Sequence, residues 1–159
     1  MIRNALILAC TLMMVGCAFF EGTDHSQQAG HILIDGFPPV KVDKDLDVLM
    51  VTPSVERLVP IYDLLIPEFE QIYGFEANGY VNIISIFPTG PKPAEGYCPS
   101  GNISLAWEFE NQWSHDFAHE LHNLYRCVAF GPQNVYCSAN EIPSPEQCAA
   151  AHELIDSIP

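Results

Sequence analysis

Positive charge is scarce in this chain. Six Lys and Arg stand against twenty Asp and Glu, a formal balance of −14 at neutral pH. That deficit argues against nucleic acid as a partner and against direct adhesion to anionic lipid, because both call for basic surface. The apolar run near the N-terminus, Ala5 to Val15, is too short to cross a bilayer as a permanent helix, which takes about 20 residues. The cysteines lack the paired Cys-x-x-Cys spacing of a structural zinc site.

What is present begins with Met1-Ile2-Arg3-Asn4 ahead of that apolar run, the pattern of a secretory signal. Its end, Met14-Val15-Gly16-Cys17, resembles the bacterial lipobox, with methionine in place of the more usual leucine. The resemblance implies a signal peptide at 1–16 and acylation of Cys17. It also implies a lipid-anchored protein of the bacterial cell envelope, facing the periplasm or the surface, with the lipid bilayer as its partner. Cys10 falls inside the signal. The residues from 17 to 30 are polar and aperiodic and read as a tether, which leaves 31–159 as a single domain. Removal of Arg3 with the signal brings the balance near −15.

Along the domain, Ile32-Leu33-Ile34 and Val48 to Val51 are candidate strands. Thr52-Pro53 reads as a helix start, followed by apolar residues at helical spacing up to the cap at Gly74, with Pro60 and Pro67 bending or dividing the segment. Tyr80 to Phe87 is the strongest strand, expected to be central and buried on both faces. Pro88 to Gly101, rich in Pro and Gly, reads as loop, and Asn102 to Trp107 as a short edge strand. Ser144-Pro145-Glu146-Gln147 predicts the start of a last helix running to about Ser157.

The densest chemistry lies in Asn111 to Val128. Trp113, Phe117, Leu121, Leu124 and Val128 recur at i, i+4, i+8, i+11 and i+15, the apolar stripe of a helix. His115, His119 and His122, half the histidines of the protein, mark the opposite face. Two histidines at i and i+4 can aim at one point, and Asp116 sits beside the first, where a carboxylate could take the proton of a metal-bound water.

His115-Asp116-x-x-His119 resembles the His-Glu-x-x-His signature of the zincin metallopeptidases, with Asp116 where that family has glutamate. The order of helix, strong strand, loop, short strand and motif helix resembles the N-terminal half of the zincin fold over roughly residues 53–128. The resemblance implies a single α+β zincin-like domain with a small twisted sheet, a kinked N-terminal helix, a metal-motif helix and a disulfide-tied C-terminal helix. It implies zinc as cofactor, held by His115 and His119, and Asp116 as catalytic base. The substrate would be a peptide or protein that adds as a strand to Asn102 to Trp107. Aspartate is one methylene shorter than glutamate, so hydrolysis of peptide bonds would be weakened; a catalytically silent metal- or protein-binding lipoprotein is the alternative. A third ligand must come from elsewhere. One zincin branch takes it from a downstream Asn-Glu pair, which makes Glu141 the first choice, ahead of His152, Glu153 and His122.

Cys98, Cys127, Cys137 and Cys148 in an exported domain read as two disulfides. Of the three connectivities, Cys98 with Cys127 would tie the loop to the motif helix, and Cys137 with Cys148 would close the tail.

Overall fold

The computed structural model describes residues 30–76, 80–132 and 143–159, which form an α+β fold. Five strands make one mixed sheet: β1 (Gly30–Ile32), β2 (Val40–Val42), β3 (Ile83–Phe87), β4 (Ala94–Tyr97) and β5 (Asn102–Ala106), in the order β1-β2-β3-β5-β4. β2, β3 and β5 run parallel; β1 and β4 close the two edges antiparallel. Four helices complete the described residues: α1 (Val48–Glu56), α2 (Val59–Tyr73), α3 (Trp113–Phe130) and α4 (Pro145–Asp156). A 3-10 segment, Trp107–Gln112, leads into α3.

Register places Val40, Ile84 and Ile103 in one cross-strand row and Val42, Ile86 and Leu105 in the next. All six are buried. Each contributes about 1.5–3 kcal/mol through removal of its side chain from water. The alternate residues of β3, Ile83, Ser85 and Phe87, are half-buried or exposed. The strand is therefore central, as its composition predicts, but only one of its faces is covered. Its apolar run begins at Tyr80 and Val81, which are buried yet precede the paired segment that starts at Ile83.

Several expectations are corrected. Val48 to Val51 is the first turn of a helix: Asp47 accepts a hydrogen bond from the Leu49 amide at 2.9 Å, and this cap outweighs the strand tendency of the valines. The helix start is thus Asp47 rather than Thr52. The chain breaks at Arg57 and Leu58, and Pro60 sits in the first turn of α2, where its missing N–H costs nothing. Pro67 stays inside α2. The carbonyl it leaves unpaired, four residues earlier on Asp63, lies on the exposed side, where water can take its place. Gly74, at φ 66°, caps the helix in the left-handed conformation that favours glycine.

The stretch read as loop contains β4, a sheet edge made of Ala-Glu-Gly-Tyr, whose composition gives little strand signal. β5 is consequently an interior strand, and the free edge on this side belongs to β4. Cys98 and Cys127 are disulfide-bonded, as the sequence suggests, and tie the β4–β5 turn to α3. Cys148 is also disulfide-bonded; its expected pairing with Cys137 lies outside the described residues. Ser144 and Gln147 form the expected capping box of α4.

α3 packs on β4 and β5 and against α2 and α4. Trp113, Phe117, Leu121 and Leu124 form its buried stripe, with the Trp113 indole N–H donating to the Ala106 carbonyl at 2.9 Å. Val128 continues that stripe in sequence but is 47 % exposed. The last turn is held instead by Cys127 and by Phe130, which meets the Tyr73 ring edge-on.

A candidate metal centre between two helices

The two sides of α3 beyond its apolar stripe carry different chemistry. On the side facing α4, the imidazoles of His115 and His119 are adjacent, with ring centres 4.6 Å apart. His115 Nε2 lies 3.6 Å from Asp156 Oδ1, on the last residue of α4. One donor atom from each of His115, His119 and Asp156 falls within 4.8 Å of the others, so the three could hold a metal ion. His115 and Asp156 are exposed and His119 is half-buried, which leaves the position open to solvent.

The donor set suits zinc chemically. Two imidazoles and a carboxylate are ordinary zinc ligands, with bonds of about 2.0–2.2 Å. Tetrahedral donors at that radius stand roughly 3.3 Å apart, so the 3.6 Å pair is close to spacing and the wider ones need small side-chain rotations. Burial, followed by the neighbouring His115 and His152, lowers the pKa of His119, while Asp156 and Asp116 oppose the shift. The net effect favours the neutral imidazole that a metal requires.

Asp156 was not among the third ligands the sequence suggested. It closes the gap because α4 ends beside the first turn of α3, a long-range packing that spacing cannot reveal. The only available sequence signal was that His152 and Asp156 stand four apart on one predicted helix. Glu141 lies outside the described residues. Glu153 is exposed and takes no part in the cluster. The exposed His152 ring lies 6.1 Å from that of His119. Asp116 is near enough to His119 to act on its charge but is not one of the converging donors.

His122 is a correction. It continues the histidine stripe in sequence, yet it is fully buried, because α2 covers that side of α3 with Phe69 and Tyr73. Its Nε2 is 2.6 Å from the Tyr73 hydroxyl. Burial, with the Arg126 charge second, depresses its pKa to about 3. It is a core residue and not a ligand.

The other side of α3 faces β4. Glu120 Oε2 accepts from the Gly96 amide at 2.9 Å, and the Asn123 side chain donates to the same oxygen at 3.3 Å. A Cβ on residue 96 would stand 2.8 Å from that carboxylate oxygen, so glycine is what lets helix and strand approach. Glu120, Asn123, Gly96, Glu95 and Lys92 line a cleft of about 210 Å³, and burial raises the Glu120 pKa. The His-Glu order of the zincin signature occurs here, at His119-Glu120, but Asn123 occupies the position of the second histidine. Among the described residues no histidine lines this cleft, and one free-edge donor of β4 is already taken by Glu120.

No protein-family model, curated protein or solved structure matches the chain.

Proposed function

We propose that this chain is a lipid-anchored protein of the bacterial cell envelope that binds zinc through His115, His119 and Asp156 and is catalytically silent towards peptide bonds. The observation that carries the reading is the convergence of three donors from two different helices. The same donors also suit ferrous iron. Zinc is preferred because a disulfide-bonded chain belongs in an oxidising compartment, where a metal without redox chemistry keeps its state. Silence towards peptides follows from the separation of parts. The carboxylate that faces the free sheet edge is Glu120, on a different side of α3 from the imidazole pair, and it occupies a donor that an added strand would need. The anchor rests on the lipobox-like residues up to Cys17.

The test is the zinc content of the full chain, extracted in detergent and dialysed, beside His115→Ala and His119→Ala. About one equivalent in the parent, lost in both variants, supports the site; no zinc in the parent refutes it. Incorporation of a labelled fatty acid, abolished by Cys17→Ala, tests the anchor.

A second reading, a weakened zinc peptidase with Asp116 as base, is favoured by one feature: three protein donors leave the fourth zinc position for water, the arrangement of catalytic sites. Asp116→Glu separates the two. A large gain of proteolysis in that variant supports the peptidase, whereas an inert variant supports silence.

A further inference from the structure

His152 and Asp156 lie four residues apart on α4, as His115 and His119 do on α3. Residues at that spacing share a helix face; the donor atoms of His115, His119 and Asp156 already lie within 4.8 Å of one another, and His152 joins that group only by turning its ring. Ring positions agree with this. Two imidazoles on one tetrahedral zinc have centres roughly 5 Å apart, given bonds of about 2.0–2.1 Å. The His115–His119 and His119–His152 separations, 4.6 and 6.1 Å, bracket that value. His152 is exposed, and its ring meets those of His119 and His122 among the described residues, so a turn of the exposed side chain is what would bring a nitrogen to the site. The buried His122 ring, 5.5 Å away and nearly perpendicular, walls the position from behind.

We propose that His152 is the fourth protein ligand, closing the site as a His3Asp clamp that fastens the end of α4 to the start of α3. The proposal rests on the zinc-binding reading and goes beyond it, because four protein donors leave no position for water and make the ion structural. The opposite end of α4 is already fixed: the capping box holds its first turn, and the Gln147 side chain donates to the Ile72 carbonyl at 2.8 Å. The last turn of α4 is packed into the core through Ile155, with Ile158 buried just beyond, and its polar tie to another element among the described side chains is the His115–Asp156 contact. A metal there would add coordination to that packing.

Two measurements on the detergent-extracted full chain test this. X-ray absorption at the zinc edge counts imidazoles in the parent, and competition with a chromogenic chelator measures zinc affinity in the parent and in His152→Ala. The expected results are three imidazoles in the parent, two in the variant, and an affinity loss beyond about 100-fold, the upper range for losing an outer-shell partner. Two imidazoles in a zinc-loaded parent, or an unchanged affinity in His152→Ala, overturns the fourth ligand and leaves the zinc site standing. A parent that binds no zinc overturns both. The imidazole count in the parent does not depend on how the variant folds.

Discussion

His115 and His122 stand two turns apart on one stripe of α3, and their surroundings are opposite. His115 is exposed beside Asp156, with a solvent-open donor atom. His122 is sealed between Phe69 and Tyr73 and gives its Nε2 to a phenol. The spacing of the residues is the same in both cases; the difference comes from what lies across from each. α2 covers the His122 side of the middle of α3, whereas the His115 side of the first turn meets the end of α4. A histidine stripe on a helix is therefore not one site, and the identity of each histidine is set by the neighbouring element.

If the buried half of the helix is held by its covering, the largest effect should come from untying it. Cys127 is one turn beyond His122 and is bonded to Cys98, 29 residues away in sequence. Cross-linking a loop of that length contributes roughly 3–4 kcal/mol in the chain-entropy model. The double replacement Cys98→Ser, Cys127→Ser should lower the urea-unfolding free energy by about that amount. A loss below about 1 kcal/mol would show that packing alone holds this end of α3.

A smaller effect sharpens the contrast through pH. His122 has a folded pKa of about 3 against about 6.5 in an unfolded chain. Between these values only the unfolded chain takes up the proton. The stability gained by keeping His122 neutral is thus fully present above pH 6.5 and is lost as pH falls towards 3, by about 1.4 kcal/mol per pH unit. With chelator present, the parent should lose roughly 2 kcal/mol between pH 7 and pH 5 from this group, and His122→Phe should lose that much less. Equal losses in the two proteins would mean that His122 titrates normally and is not sealed.

The sequence made much of this readable at short range and little at long range. The apolar stripe from Trp113 to Leu124, the central place of β3, the caps at Gly74 and Ser144, and the Cys98–Cys127 bridge all follow from local periodicity, turn chemistry or cysteine position. The misplaced parts share a physical cause. β4 was hidden because Ala-Glu-Gly-Tyr becomes a strand through pairing with β5 rather than through its own propensity, and once it is present β5 is no longer an edge. Val48 to Val51 has strand composition, but the Asp47 cap claims it for a helix. The candidate site divides in the same way. The adjacency of His115 and His119 is a property of one helix and was legible; Asp156 and the burial of His122 depend on how α2 and α4 dock.

The smallest effect belongs to the wet end, and its smallness is the informative result. In chelator, His115→Ala removes an exposed ring that meets His119 and Asp156 among the described residues, and alanine favours a helix. The unfolding free energy should stay within about 0.5 kcal/mol of the parent, as for most surface changes. Zinc should then separate the two proteins. At a free concentration about 100 times the dissociation constant, binding to the folded state alone adds about 2.7 kcal/mol to the parent, and the variant should gain almost nothing. A variant already destabilised in chelator would place His115 in the fold rather than at a metal. A variant stabilised by zinc as much as the parent would move the metal to other donors. Only near-neutrality without zinc and a lost response with it fit a histidine whose role is to bind.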